Sequence, residues 1–315
     1  MAKRSNSGPG LKAAKPKSVF ERSFQIDYKG LIKSVSKGVI HLVYGKVEEA
    51  GIDATETLSS LGLKTDDPGE LAFLLINRSL TKAVLELVNE SSSQQLIDDK
   101  ADPDAILEQI DFSSSSGEIF IDRKFFDRPA ELPFLNEIQS LLQSWLECLG
   151  VANPGAKAIA GRLPSYFVYA LIQEWRNNAK TYVPIIEALD TPFARAGVRE
   201  WAWSAYSALL QHRIDEGIFD EPFSLSQVYV PLNAFYLEEE RSGKMQKEDI
   251  ACSDRKPKRI VVSLEKELEQ WLNNPSARDA IRVISGGPGS GKSSFARIFA
   301  AGHSHDPKLR VLYVP

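Results

Sequence analysis

Residues 132–149 read LPFLNEIQSLLQSWLECL, and this stretch decides the fold class. Phe134, Ile138, Leu141, Leu142, Trp145 and Leu149 recur at the spacing of one helix face, polar residues fill the positions between, and Gly150 follows as a stop. Such a stripe has to pack against other helices. On the N-terminal side a second helix is predicted over 67–89. Asp67 serves as its cap, Pro68 takes the first helical position, Glu70 completes a capping-box-like start, and Leu71, Leu74, Leu75, Leu80, Val84, Leu87 and Val88 form the buried stripe. On the C-terminal side a third helix is predicted from Phe193 to Asp215, with Val198, Trp201, Ala202, Ala205 and Leu209 on one face. Shorter helices are expected at 31–49, 104–110, 164–177 and 180–189. Ser113 to Gly117 reads as a loop and Val228-Tyr229-Val230 as a short extended segment. Residues 20–237 are therefore expected to form one mainly α-helical domain, with the tryptophans 145, 175, 201 and 203 as packing residues.

Composition sets the limits around this domain. The chain has 315 residues, 43% hydrophobic and 25% charged, the balance of a folded protein with room for about two domains. Net charge is −4, so the overall balance argues against nucleic acid and anionic membranes as partners. Cys148 and Cys252 form no Cys-x-x-Cys pair, which excludes a thiolate zinc site and a disulfide framework and fits a reducing cytoplasm. No run approaches the roughly 20 apolar residues needed to cross a bilayer. Residues 1–19 carry Lys3, Arg4, Lys12, Lys15 and Lys17 without an apolar segment, and are expected to be a disordered basic tail rather than a signal peptide.

From Glu238 to Arg259 the sequence turns charged and poor in apolar anchors, as a linker does. An amphipathic helix over Leu264 to Leu272 leads out of it into 281–295, IRVISGGPGSGKSSF, which contains G-x-x-x-x-G-K-[ST] as Gly286, Gly291, Lys292 and Ser293. Ile281, Val283 and Ile284 before the loop suit a buried strand; Phe295, Ile298 and Phe299 after it have helical spacing. Glycines at 286, 287, 289 and 291 let backbone approach phosphate oxygens without a Cβ in the way, and Pro288 stiffens the outer turn. Amides from about Gly289 through Ser290 to Ser293 converge at a helix N-terminus, where the dipole favours an anion. Lys292 is placed to reach the β and γ phosphates and the Ser293 hydroxyl to ligate Mg2+, with Ser294 as a further helix-start residue. The run Gly286 to Ser294 is thus the expected site for ATP or ADP with Mg2+.

Other polar groups read as structural. His303, His305 and Asp306 lie where the loop helix ends, between Gly302 and Pro307, and read as a helix-terminating turn before a metal cluster. His41 and His212 lack a paired nucleophile, and Asp98 to Asp104 lacks the glycine and glutamate of a calcium loop. Arg310 to Val314 supplies a second strand-like segment, after which the sequence stops at Pro315, before any acidic residue that could hold Mg2+ for hydrolysis. The expectation is an incomplete nucleotide domain over 260–315, poorly active or inactive as an NTPase by itself.

The stretch 264–272 with Trp271, then Val283 to Phe295, then Val311 to Pro315, resembles the opening of a NACHT domain in bacterial STAND NTPases. The upstream helices, closing with Val228-Tyr229-Val230-Pro231-Leu232, look like the helical domains that precede NACHT domains. The resemblance implies a mainly α fold followed by the strand, phosphate loop, helix and strand of an α/β domain. It also implies a nucleotide-controlled signalling switch, an effector or adaptor role for the helices, homo-oligomerisation on activation and a part in antiphage defence. Two alternatives remain open: an AAA-type remodelling ATPase, which shares the loop, and a helical protein-interaction scaffold.

Overall fold

The computed structural model describes residues 11–12, 68–93, 120–121, 129–185, 198–219, 221–238, 258–274, 276, 279–306 and 308–315. The helices expected at 31–49 and 104–110, the loop 113–117, His41, Cys252 and Asp98 to Asp104 lie outside them. Within the basic tail only Leu11–Lys12 is described, as strand β1, paired antiparallel with β2, Phe120–Ile121.

The elements then run α1 (Pro68–Ser93), α2 (Pro133–Cys148), α3 (Asn153–Gly161), α4 (Leu163–Asn177), α5 (Val198–Asp215), α6 (Leu225–Val228), β3 (Asn233–Glu238), β4 (Lys258–Ser263), α7 (Leu264–Asn273) and α8 (Lys292–His303). The protein is mainly α. Every residue named for the stripe of α1 is buried, as is every one named for α2, and with α3 and α4 they make one core. Each fully buried Leu there contributes on the order of 2 kcal/mol. Phe134 of α2 meets Phe167 of α4 edge to face at 5.8 Å, and Trp175 stacks on Tyr182 at 5.6 Å. Of the helix expected at 180–189, residues 183–185 are helical and 186–189 lie outside the described residues.

The stop of α2 has the geometry its sequence calls for. Gly150 takes φ 94°, its N–H reaches Glu147 O at 3.0 Å, and Val151 N–H returns to Leu146 O at 3.0 Å, so two end carbonyls are satisfied by a left-handed glycine turn. Val151 and Leu146 are both in the core. A Cβ in that conformation costs about 1–2 kcal/mol. Gly150→Ala should lower the unfolding free energy in urea by that amount, seen as a lower midpoint at unchanged slope.

Helix α5 departs from expectation. Ala202 is exposed and Ala205 and Leu209 are only half-buried, while Ser207, Ala208, Leu210, His212 and Ile214 are buried. The reason is packing on two sides, against α4 and against α8. A helix between two neighbours buries more than one stripe, so a single-face reading picks the wrong residues.

The charged stretch 238–259 also differs at its ends. Glu238, Lys258 and Arg259 belong to a two-stranded antiparallel ladder in which β3 and β4 pair from Asn233↔Ser263 to Glu238↔Lys258. Val228 ends α6 rather than starting an extended segment. Ile281 to Ile284 and 310–314, read as strands, form no ladder among the described residues. Ile281 is 80% and Val283 86% exposed. A strand exists through hydrogen bonds to a neighbour, and no described segment supplies one; α8 packs on helices instead.

Candidate functional site

The glycine loop precedes α8 and is shaped by its backbone. Gly289 (φ 73°) and Gly291 (φ 80°) are left-handed, a conformation closed to most side chains. Ser290 N–H closes a turn on Gly287 O at 3.4 Å, and Gly291 is the N-cap of α8, whose first helical bond runs from Phe295 N–H to Gly291 O at 2.8 Å. The amides of Lys292, Ser293 and Ser294 precede that bond, and among the described residues Gly291 supplies no side-chain cap, so they lie as donors at the positive end of the helix dipole.

Close approach explains two glycines. A Cβ on Gly286 would lie 2.9 Å from Ser290 Oγ, and one on Gly291 3.3 Å from Leu232 Cδ1, whereas Gly287 and Gly289 face open space. Residues 281–290, Pro288 included, are exposed, as is Ser293; Lys292 and Ser294 are half-buried. The Lys292 ammonium turns back over the loop and donates to Gly286 O at 2.8 Å, Gly287 O at 2.9 Å and Ser290 Oγ at 3.1 Å. All nine residues of the expected site are therefore contiguous at one helix end, with the ammonium inside the ring of glycines.

The loop is held from behind. Phe295 of α8 is buried with Leu264 and Leu268 of α7, and Tyr229, Leu232, Trp271 and Phe299 pack around them. Leu264 N–H bonds Leu232 O at 3.0 Å. Phe295 and Phe299, one turn apart, stack at 5.4 Å. The segment leaving the helical domain thus lies directly under the glycine loop.

The other polar residues are arranged structurally. His303 lies against Phe299 at 4.4 Å, and His305 Nδ1 is 3.0 Å from Ser207 Oγ. Among the described residues no group of His, Cys, Asp and Glu could hold a metal ion. Cys148 is a free, exposed thiol. Among the described residues no helix is long and apolar enough to cross a membrane.

Two polar clusters that sequence reading missed join α1 to α4 and α5. In one, buried Glu174 accepts from Arg78 (3.2 Å), Lys82, Asn178 (2.9 Å) and Tyr182 (2.8 Å). In the other, Glu90 accepts from Arg162 and from the Tyr166 hydroxyl. Beside it His212, its ring between those of Tyr166 (4.2 Å) and Tyr169 (4.5 Å), faces Glu86 at 3.2 Å and Glu216 at 3.3 Å. The Nε2 contact to Glu86 is bent away from hydrogen-bond geometry, so charge carries it.

Burial alone would lower the His212 pKa; bonding to Glu216 and the charges of both carboxylates outweigh it and push the group from 6.5 up to about 9. A raised pKa stabilises the folded state fully below about pH 6.5, and that stability is lost as pH rises through about 9. Because both carboxylates are nearly half exposed, the effect is about 1–3 kcal/mol. Unfolding free energy measured from pH 6 to pH 10 should fall by this amount in the wild type, and His212→Gln should flatten the profile; an equally steep fall in the variant would contradict the assignment.

Comparison with known proteins adds a family. Residues 21–225, more than half of the chain, match the family described as NACHT N-terminal helical domain 3. No curated protein matches the chain, and no solved structure does. The matched region contains α1 to α5 and stops at the start of α6, immediately before the segment that runs under the glycine loop. With its helical core and the loop that follows it, the chain belongs to the NACHT N-terminal helical domain 3 family and is a NACHT-type protein.

Proposed function

We propose that this chain is the nucleotide-binding part of a STAND-type signalling NTPase, in which ATP or ADP with Mg2+ occupies Gly286 to Ser294 and the helical domain acts as effector or adaptor. The observation that carries the reading is the glycine loop at the start of α8, with left-handed Gly289 and Gly291 and an ammonium already seated among the loop oxygens. Uncapped amides of Lys292, Ser293 and Ser294 would bind phosphate oxygens, and Lys292 would exchange its carbonyl partners for the β and γ phosphates. The exposed Ser293 hydroxyl would hold Mg2+, which neutralises and chelates the polyphosphate. The loop fits this group: Gly287 and Gly289 leave open space where phosphate would sit.

Family membership supports the class, and the direct packing of Leu232 beneath Gly291 supports a link between nucleotide and helical domain. In this reading the protein is a cytoplasmic bacterial defence switch that oligomerises with copies of itself when activated. Isothermal calorimetry with Mg-ATP and Mg-ADP tests the binding claim: wild type should bind, Lys292→Ala should bind about ten- to hundredfold more weakly, and equal affinity in both would overturn the site.

A further inference from the structure

Phe219 is unfavourable in two ways at once. Its backbone is left-handed, with φ 54°, the one non-glycine residue with positive φ among the described residues, and its side chain is 92% exposed. A bulky side chain in that region is strained. The turn that imposes it is closed by Glu221 N–H on Ile218 O at 2.9 Å, and glycine or asparagine would take the position with less strain. An aromatic ring held in water adds nothing to the fold in return.

The turn has a rigid base. Gly217 and Ser224 form a β-bridge, and between them Ile218 N–H donates to Phe223 O at 3.1 Å. Ser224 is fully buried and its N–H donates to Gln227 Oε1 at 3.0 Å, while Gln227 Nε2 donates to Ala158 O of α3 at 2.8 Å. Pro222 is buried against α3, with its Cγ 3.4 Å from where a Cβ on Gly155 would lie. The ring therefore stands out from a fixed mount, two residues from the exposed carboxylate of Glu221. Backbone strain retained under a solvent-facing aromatic points to a contact made by that aromatic.

A surface of matching chemistry lies on the same chain. Side chains of the β3–β4 ladder alternate between its faces, and the register puts Phe235 opposite Val261 and Leu237 opposite Arg259 on one of them. All four are exposed, and the Arg259 guanidinium lies 3.4 Å over the Phe235 ring. This face is an apolar seat with a cation at its border, suited to an aromatic flanked by a carboxylate. Phe219 and the ladder face are both exposed, so neither covers the other within one molecule.

We propose that Phe219 of one chain seats on the face formed by Phe235, Leu237 and Val261 of a second copy, with Glu221 pairing to Arg259 across the contact. The two surfaces differ, so the association is head-to-tail and can repeat from copy to copy. Both patches are small, which makes the contact weak and reversible. It uses no residue of the glycine loop and goes beyond the nucleotide reading: it forms in the chain without nucleotide.

Sedimentation velocity of the whole chain, free of nucleotide, tests this. The mass of the wild-type species should rise with concentration. Phe219→Asn should weaken the association at least about tenfold and unfold in urea at no lower midpoint, because asparagine tolerates left-handed backbone and no packed side chain is lost. Glu221→Arg and Arg259→Glu should each weaken it about fivefold, and the two changes in one chain should restore it. If Arg259→Glu does not fold, Val261→Asp, at an exposed position, replaces it and should weaken association to a similar degree. A wild type that stays monomeric at every concentration overturns the proposal and leaves the aromatic tip to a different protein. Association of Phe219→Asn equal to wild type also overturns it, and charge variants that the double change does not restore overturn the β3–β4 face as the seat.

Discussion

Lys292→Ala should weaken Mg-ATP binding by about ten- to hundredfold, the loss of one charge-assisted hydrogen bond to phosphate worth roughly 1.5–3 kcal/mol, and leave the helical domain folded. The two halves of this expectation follow from where the side chain sits. Its bonds all go to the loop itself, to Gly286 O, Gly287 O and Ser290 Oγ, and none to the core of α1 to α4. Unfolding monitored by circular dichroism should therefore stay within about 0.5 kcal/mol of wild type, the usual range for a surface change. Lys292→Arg separates charge from fit. It keeps the charge but replaces a compact ammonium, which donates from one nitrogen to three loop oxygens, with a planar fork that cannot, so it should recover only part of the affinity. Full recovery would show that the field of a cation suffices, and that the close seating of the ammonium has no role.

Legibility in the sequence followed the range of the interaction. The helices α1 and α2 were readable because a helix repeats its buried positions within a few residues: Leu71 to Val88 and Phe134 to Leu149 announce their own faces. The glycine loop was readable for the same reason, since residues 286–294 act as a contiguous unit. What sequence could not convey was the partner of each surface. Helix α5 misled because its residues serve two neighbours, α4 through His212 and α8 through Leu210. The β3–β4 ladder was missed although Phe235-Tyr236 and Ile260-Val261-Val262 carry the aromatic and β-branched residues of strands, because the charged run between them drew the boundary inside both. The strands expected at 281–284 and 310–314 show the converse, since apolar patterning is local and a ladder is not.

The buried ion cluster at Glu174 was invisible for a simple reason: its partners Arg78 and Lys82 stand 96 and 92 residues away, and single charged residues in helices read as solvated. Its removal should have the largest effect on stability. Glu174 is 1% exposed, and burial by itself would raise the pKa of its carboxyl; the Lys82 and Tyr182 bonds and the charges of Lys82 and Arg78 outweigh this and hold the pKa below its ordinary value. Glu174→Ala takes away a carboxylate bonded to Arg78, which is only 12% exposed, and to the fully buried Tyr182 hydroxyl. Breaking a buried pair from one side costs about 3–5 kcal/mol. Lys82, half exposed, turns to water and adds little.

Glu174→Gln keeps the volume and an acceptor for Tyr182, so it should lose less than Glu174→Ala in urea unfolding. Replacing the charged groups together, Glu174→Met with Arg78→Met and Lys82→Met, should recover most of the lost stability, because the cost lies in breaking the buried pair from one side and not in the shape. The pH dependence has a fixed sign. A lowered folded-state pKa gives stability that is present above the ordinary value of 4.5 and is lost as pH falls through the folded value, so the acid limb of the wild-type profile should be shallower in Glu174→Gln. An alanine variant as stable as wild type would mean that the cations on α1 and not the carboxylate hold α4 in place, and the cluster would then be a consequence of the helix packing rather than one of its causes.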